Sequence, residues 1–123
     1  MFEQDYIMRL IREMIRAILK LVFHIDTENP MGESARNEES QQILNHLLNR
    51  IDEGEINEAE NELFDMTCDG SRANLETALL FYSYLNEKEN DFLRTHNYSR
   101  EEIKLGLEDL MRRYGISGME DVF

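Results

Sequence analysis

The chain is predicted to be all α, a single domain of antiparallel helical hairpins with about five helices. Three observations predict it. Apolar residues return at intervals of three and four through most of the 123 residues, as they do on helices with one buried face. Helix-start and helix-stop signals bracket these stretches. No run alternates apolar and polar residues long enough to propose a strand.

The first helix is read from Asp5 to Ile25. At roughly 100° per residue, Ile7, Leu10, Ile11, Met14, Ile15, Ile18, Leu19, Leu21 and Val22 fill an arc of roughly 200°, against about 100° or slightly more for an ordinary surface helix. Arg9, Arg12, Glu13, Arg16 and Lys20 crowd the remaining sector, and Phe2 and Tyr6 are expected to anchor the start. Such a helix should meet apolar matter on two sides. Leaving five of its large aliphatic side chains in water would cost roughly 7 to 15 kcal/mol at 1.5 to 3 each, which rivals the net stability of a domain.

Residues 26–37 hold the only proline, Pro30, with Gly32, Ser34 and several acids, and read as a linker or loop. The residue before proline is biased away from helix, so the first helix is free to dock on its own body, residues 38–123, or on a neighbour. A second helix over Glu38–Glu53 presents Ile43, Leu44, Leu47, Leu48 and Ile51, with Gly54 in the C-terminal left-handed position. Asn57, with Ile56 before it and Glu60 three residues on, is expected to cap a third helix carrying Ala59, Leu63, Phe64 and Met66. Asp69-Gly70-Ser71 breaks it. Ser71 is expected to cap a fourth helix running to Asn86, whose high apolar content predicts a central place. A short helical turn is read around Asp91–Thr95, with Phe92 and Leu93 inward. In the last helix Ser99 and Glu102 make a capping box, Tyr98 and Ile103 a hydrophobic staple, and Gly115 follows Tyr114.

At this length folding removes roughly two thirds of the surface of the unfolded chain from water, and 41% apolar against 32% charged residues supply a core. The formal charge of −13, from 26 acids and 13 bases, repels a phosphate backbone and argues against nucleic acid. Residues 1–25 carry four bases and three acids, leaving nine and 23 for the remainder, so the first helix is a cationic stripe on an anionic protein. Cys68 is alone, which leaves no intrachain disulfide and makes a reducing cytoplasm the expected home. Five charges within residues 6–25, at about 2.5 to 3.5 kcal/mol each near a bilayer centre, exclude a membrane span. A secretory leader is excluded because His24-Ile25-Asp26-Thr27-Glu28 follows the apolar stretch instead of a small-residue cleavage site.

Sites of chemistry are sparse. A calcium loop starting at Asp52 would need oxygen ligands at its third and fifth positions and glycine at its sixth, where Gly54, Ile56 and Asn57 stand. The acids Asp52, Glu53, Glu55, Glu58, Glu60, Glu62 and Asp65 are therefore expected on a solvated face. Leu21, Ile43 and Leu93 occupy the positions where a Glu-x-x-His motif would place its carboxylate before His24, His46 and His96. No metal, cofactor or phosphate-binding glycine loop is expected. Cys68 is expected to be buried or inert. Tyr82, Tyr84, His96 and Cys68 are the only side chains that suggest a pocket.

The segment Gly54-Glu55-Ile56-Asn57-Glu58-Ala59, with Leu63 and Met66, resembles the latter half of a tetratricopeptide repeat. Leu47 and His46 depart from that pattern, and no second copy of the motif is visible at the 34-residue period. Phe2-Glu3-Gln4-Asp5-Tyr6-Ile7-Met8-Arg9, Gly54 through Asn61, Leu80-Phe81-Tyr82-Ser83-Tyr84-Leu85 and Arg113-Tyr114-Gly115-Ile116-Ser117-Gly118 resemble a family of short bacterial helical proteins without an assigned activity. The resemblance implies a stand-alone helical protein and transfers no functional residue.

The expected function is non-catalytic: self-association, or binding of another protein, by helix-in-groove contact of the first helix. Ile7, Leu10, Ile11, Met14, Ile15, Ile18, Leu19 and Val22 are the expected anchors, and Arg9, Arg12, Arg16 and Lys20 tune orientation. The same basic edge suggests a membrane surface as the alternative, opposed by the acidity of the body. A small-ligand or enzymatic domain is the more remote alternative.

Overall fold

Six helices run through the described residues, 2–24 and 37–116, of this computed structural model: α1 (Phe2–Ile18), α2 (Glu38–Asp52), α3 (Ile56–Thr67), α4 (Arg72–Asn86), α5 (Asn90–Thr95) and α6 (Arg100–Arg113). The linker read at 26–37 lies outside the described residues except for Asn37.

The caps follow local chemistry closely. Asn37 accepts from the Ser40 N–H at 2.7 Å, Ser71 from the Asn74 N–H at 3.1 Å, and Ser99 and Glu102 form the full capping box. At the end of α2, Gly54 takes φ +86°; its N–H reaches Ile51 O and the next N–H, of Glu55, reaches Arg50 O, both at 2.9 Å. This pair of bonds is a Schellman motif. Asn97 closes α5 in the same way, with Asn97 N–H on Arg94 O at 3.1 Å and Tyr98 N–H on Leu93 O at 2.9 Å. The apolar contact that accompanies the motif brings Tyr98 and Leu93 into the core, both buried.

The structure corrects two boundaries. After Ile18 the first helix widens into a π-helical turn, Leu19–Phe23, and ends at His24, which is left-handed at φ 61° and donates its N–H to Lys20 O. The Arg72 guanidinium meets Val22 O and lies 5.4 Å from the Phe23 ring centroid, so this end is held by α4. Ile25 falls outside the described residues. Asn57 is not the cap of the third helix. The Schellman turn delivers the chain into helix at Ile56, and Glu55 O accepts the first bond, from Ala59 N–H at 3.0 Å.

α4 occupies the centre. Leu75, Thr77, Ala78, Leu79, Leu80, Phe81, Tyr82, Leu85 and Asn86 are all buried, and α1, α2, α3 and α6 pack around them. Cross-links give the directions. Asn86 Nδ2 donates to Met8 O at 3.0 Å while Arg72 meets Val22, so α1 is antiparallel to α4. Tyr82 meets Glu60 and Asn74 meets Met66, so α3 is antiparallel to it as well. Arg100 meets Asn86 and the Tyr114 hydroxyl meets Ser71 O at 2.8 Å, which orients α6 likewise. α2 and α3 form an antiparallel hairpin through Gly54, and α2 therefore runs along α4.

Arg100 fastens one end of this assembly. It is buried, and its guanidinium donates to Asn86 O at 3.1 Å, to Lys88 O, to Asn90 Oδ1 and to Gln4 Oε1 at 3.4 Å. A cation at a helix C-terminus meets the carbonyls left open there, so Arg100 closes α4 while tying α1 and the start of α5 to it. Burial lowers its pKa from the ordinary arginine value.

Candidate functional site

The breadth of the α1 apolar arc is accounted for largely within the chain. Ile11, Met14, Ile15, Ile18 and Leu19 are buried in the common core against α4 and α6. Ile7, Leu10, Ala17, Val22 and Phe23 are half-buried against that core. Of the expected anchors, only Ile7, Leu10 and Val22 thus keep more than a trace of exposed surface. What remains outside is an edge: Tyr6 is 62% exposed and Leu21 57%. Tyr6, Leu10 and Ala17 fall within an arc of about 40° at 100° per residue, and Leu21, four residues after Ala17, continues the row in the π-helical turn. Tyr6 does not anchor the start of the helix; it faces solvent on this edge.

The basic stripe borders the edge, and Arg12, Arg16 and Lys20 are each engaged by the chain itself. Arg12 makes a two-pronged pair with Glu87, both bonds at 2.9 Å, and that pairing raises the Arg12 pKa. Arg9 and Lys20 are exposed, and Arg16 is half-buried.

The side chains that suggest a pocket lie at three places, with Tyr84 and His96 sharing one of them. Tyr82 is buried and donates to Glu60 Oε2 at 2.6 Å, joined by Tyr98 at 3.2 Å. Burial raises the pKa of the Glu60 carboxyl, opposed by these two phenol hydrogen bonds; burial, then the charge of Glu60, raises both phenols. Glu60 was expected on the solvated acidic face and instead turns inward, because Gly106 of α6 has no side chain to fill the space. A Cβ there would sit 2.3 Å from the Tyr82 hydroxyl and 3.0 Å from Glu60 Oε2. Cys68 is exposed rather than buried at the end of α3, with its Sγ 3.0 Å from Arg113 Nη2 and 3.3 Å from Phe64 O.

Tyr84 and His96 belong to the opposite side of α4. The Tyr84 hydroxyl donates to Asp52, 2.7 and 3.0 Å from its two carboxylate oxygens, and Lys88 Nζ donates to Asp52 Oδ1 at 2.6 Å. Lys88, then Tyr84, lowers the Asp52 pKa. His96 Nδ1 is 2.8 Å from Phe92 O, and its ring packs on Gly54, where a Cβ would approach Cδ2 to 2.3 Å. An open cleft of about 520 Å³ lies beside this corner, lined by His46, Asn49, Arg50, Asp52, Glu53 and Glu55. Arg50 is already paired with Glu55 at 3.1 Å and Glu62 at 2.7 Å, and His46 lies 3.0 Å from Glu62. The sequence reading missed Lys88, Glu60, Gly106 and Arg100. Helical spacing was the available signal for two of them, since Glu60 shares a face with Ile56 and Leu63, and Arg100 with Ile103 and Leu107.

Among the described residues no helix is long and apolar enough to cross a membrane, and no group of three or more His, Cys, Asp or Glu is placed to hold a metal ion. Comparison with curated proteins and with solved structures finds no match. A family model, that of the family of unknown function DUF6483, matches residues 1–115. That span includes every helix described above, and the chain belongs to this family.

Proposed function

We propose that this chain is a non-catalytic interaction module that pairs with a second copy of itself through the outer edge of α1. The observation that carries the reading is the row Tyr6, Leu10, Ala17 and Leu21, with Tyr6 and Leu21 more than half exposed. Charge supports a second copy as the occupant. The cationic side of α1 borders the row, and the exposed acids Glu55, Glu58 and Asp65 of the α3 region offer the opposite sign on a neighbour. Each such exposed pair contributes only about 0 to 1 kcal/mol, so the apolar row supplies the affinity and the charges the orientation. Tyr82 and Cys68 lie apart from each other and from the corner that holds Tyr84 and His96, which supports the non-catalytic part, and a lone thiol agrees with a cytoplasmic setting.

A repeat-like architecture is part of this proposal. α2 and α4 start 34 residues apart, at Glu38 and Arg72, and α3 and α5 start 34 apart, at Ile56 and Asn90. That is the period of a tetratricopeptide repeat. A second reading, docking on an anionic lipid surface, is favoured by the exposed Arg9 beside the same row.

Sedimentation of the full chain across dilution tests the proposal, comparing wild type with the Tyr6→Arg, Leu21→Arg double variant. Concentration-dependent dimerisation that the variant loses is expected. A monomer at every concentration refutes it, and flotation of that monomer with anionic vesicles would transfer the edge to the lipid reading.

A further inference from the structure

We propose that Asp52, Tyr84 and Phe92 form a binding site for an organic ammonium group, and that Lys88 fills this site in the isolated chain. Lys88 Nζ stands over two aromatic faces, 4.8 Å from the Tyr84 centroid and 5.0 Å from that of Phe92, both inside the roughly 6 Å at which a cation is drawn to a ring. Asp52 completes the enclosure at 2.6 Å. Two aromatic walls and one carboxylate are the elements of sites that recognise lysine-type and quaternary ammonium ions.

The walls do not depend on the lysine. Asp52 comes from α2, Tyr84 from α4 and Phe92 from α5. The Tyr84 ring is oriented by its own hydroxyl, which bonds both Asp52 oxygens. Phe92 lies against the His96 ring at 4.5 Å between centroids, and that ring rests on Gly54. The Lys88 main chain is held by Arg100, which takes its carbonyl oxygen, so the side chain can leave while the turn stays. Access exists as well: Asp52 also lines the open cleft with Glu53 and Glu55, three carboxylates against the one guanidinium of Arg50, which Glu55 and Glu62 already pair, and the Lys88 side chain is itself 25% exposed. Lys88 is thus an internal competitor, with the high effective concentration of a tethered ligand.

This site is separate from the α1 edge, and its test does not depend on self-association. Tetramethylammonium chloride is titrated at constant ionic strength into full-length wild type and Lys88→Ala, following the Tyr84 and Phe92 ring resonances; tert-butanol serves as the uncharged isostere. Lys88→Ala should bind the cation saturably and at least tenfold more tightly than wild type, prefer it to tert-butanol, and lose that binding when Tyr84→Leu is added. A Lys88→Gln chain guards against any loss of folding in the alanine variant and should behave in the same way. A peptide with one trimethyllysine then separates the sources: binding tighter than tetramethylammonium assigns the ammonium to a partner chain, and equal binding to a free small cation. Equal affinity of wild type and both Lys88 variants, or equal response to tert-butanol, overturns the proposal and leaves Lys88 as a surface clasp.

Discussion

Replacing Gly106 by alanine should destabilise the protein, although the same change inside an ordinary helix stabilises it. The helix-propensity gain is about 1 kcal/mol. Against it, the new Cβ would lie 2.3 Å from the Tyr82 hydroxyl and 2.7 Å from Cζ. Tyr82 is fully buried, so its rigid ring has no solvent to swing into. Overpacking of this kind costs about 1 to 3 kcal/mol, and displacing the hydroxyl from Glu60 forfeits a hydrogen bond to a carboxylate, about 1.5 to 3 kcal/mol more. The net loss is about 3 kcal/mol, or roughly 10 °C in Tm at about 4 °C per kcal/mol for a domain of this size. Urea and thermal unfolding followed by circular dichroism measure it. Adding Tyr82→Phe should make the pair less destabilising than the sum of the single changes, because the hydroxyl takes part in the clash. A Gly106→Ala chain as stable as wild type, or more stable, would refute the packing argument.

Glu60→Gln should gain in urea midpoint relative to wild type as pH rises above about 4.5, the ordinary value for this carboxyl. The folded pKa is raised, so the folded state holds the proton more strongly; this stabilisation is complete below the unfolded pKa and fades as pH climbs through the folded one. A difference between the two proteins that is flat with pH counts against it. Asp52 behaves oppositely: its folded pKa is lowered from 3.8, so the difference between wild type and Asp52→Asn should be present above that pH and shrink as pH falls through the folded value. Arg100→Met should cost about 3 kcal/mol by chemical denaturation, because several buried carbonyl and amide oxygens lose their donor at about 1 to 3 kcal/mol each. Ile18→Ala, at a fully buried position, should cost about 2 to 5 kcal/mol. Leu21→Arg, at a position more than half exposed, should change folding stability by less than about 0.5 kcal/mol.

Local chemistry made most of the fold legible. Ser71, Ser99 with Glu102, Gly54 and Gly115 act within a few residues of themselves, so their roles survive folding, and the apolar content of Leu75–Leu85 marked α4 as central before any packing was known. The destination of α1 was not legible. Its wide arc records how much surface is sheltered, not whether α4, α6 or a second chain does the sheltering. Tertiary partners also overrode the surface reading of Glu60, which goes inward only because Gly106, 46 positions later, leaves room. The Lys88 corner draws on three helices brought together by three turns, and no spacing along one helix announces it.

The Arg100 fastening has a consequence for biosynthesis. Its partners Gln4 and Asn86 both precede it, by 96 and 14 residues, so the clasp waits until Arg100 itself has been made. At about 5 to 20 residues per second, the greasy side of the opening helix spends several seconds on the ribosome before α6 arrives to cover it. A folding nascent chain of this design is most exposed to chaperones, and to its neighbours on a polysome, during that interval.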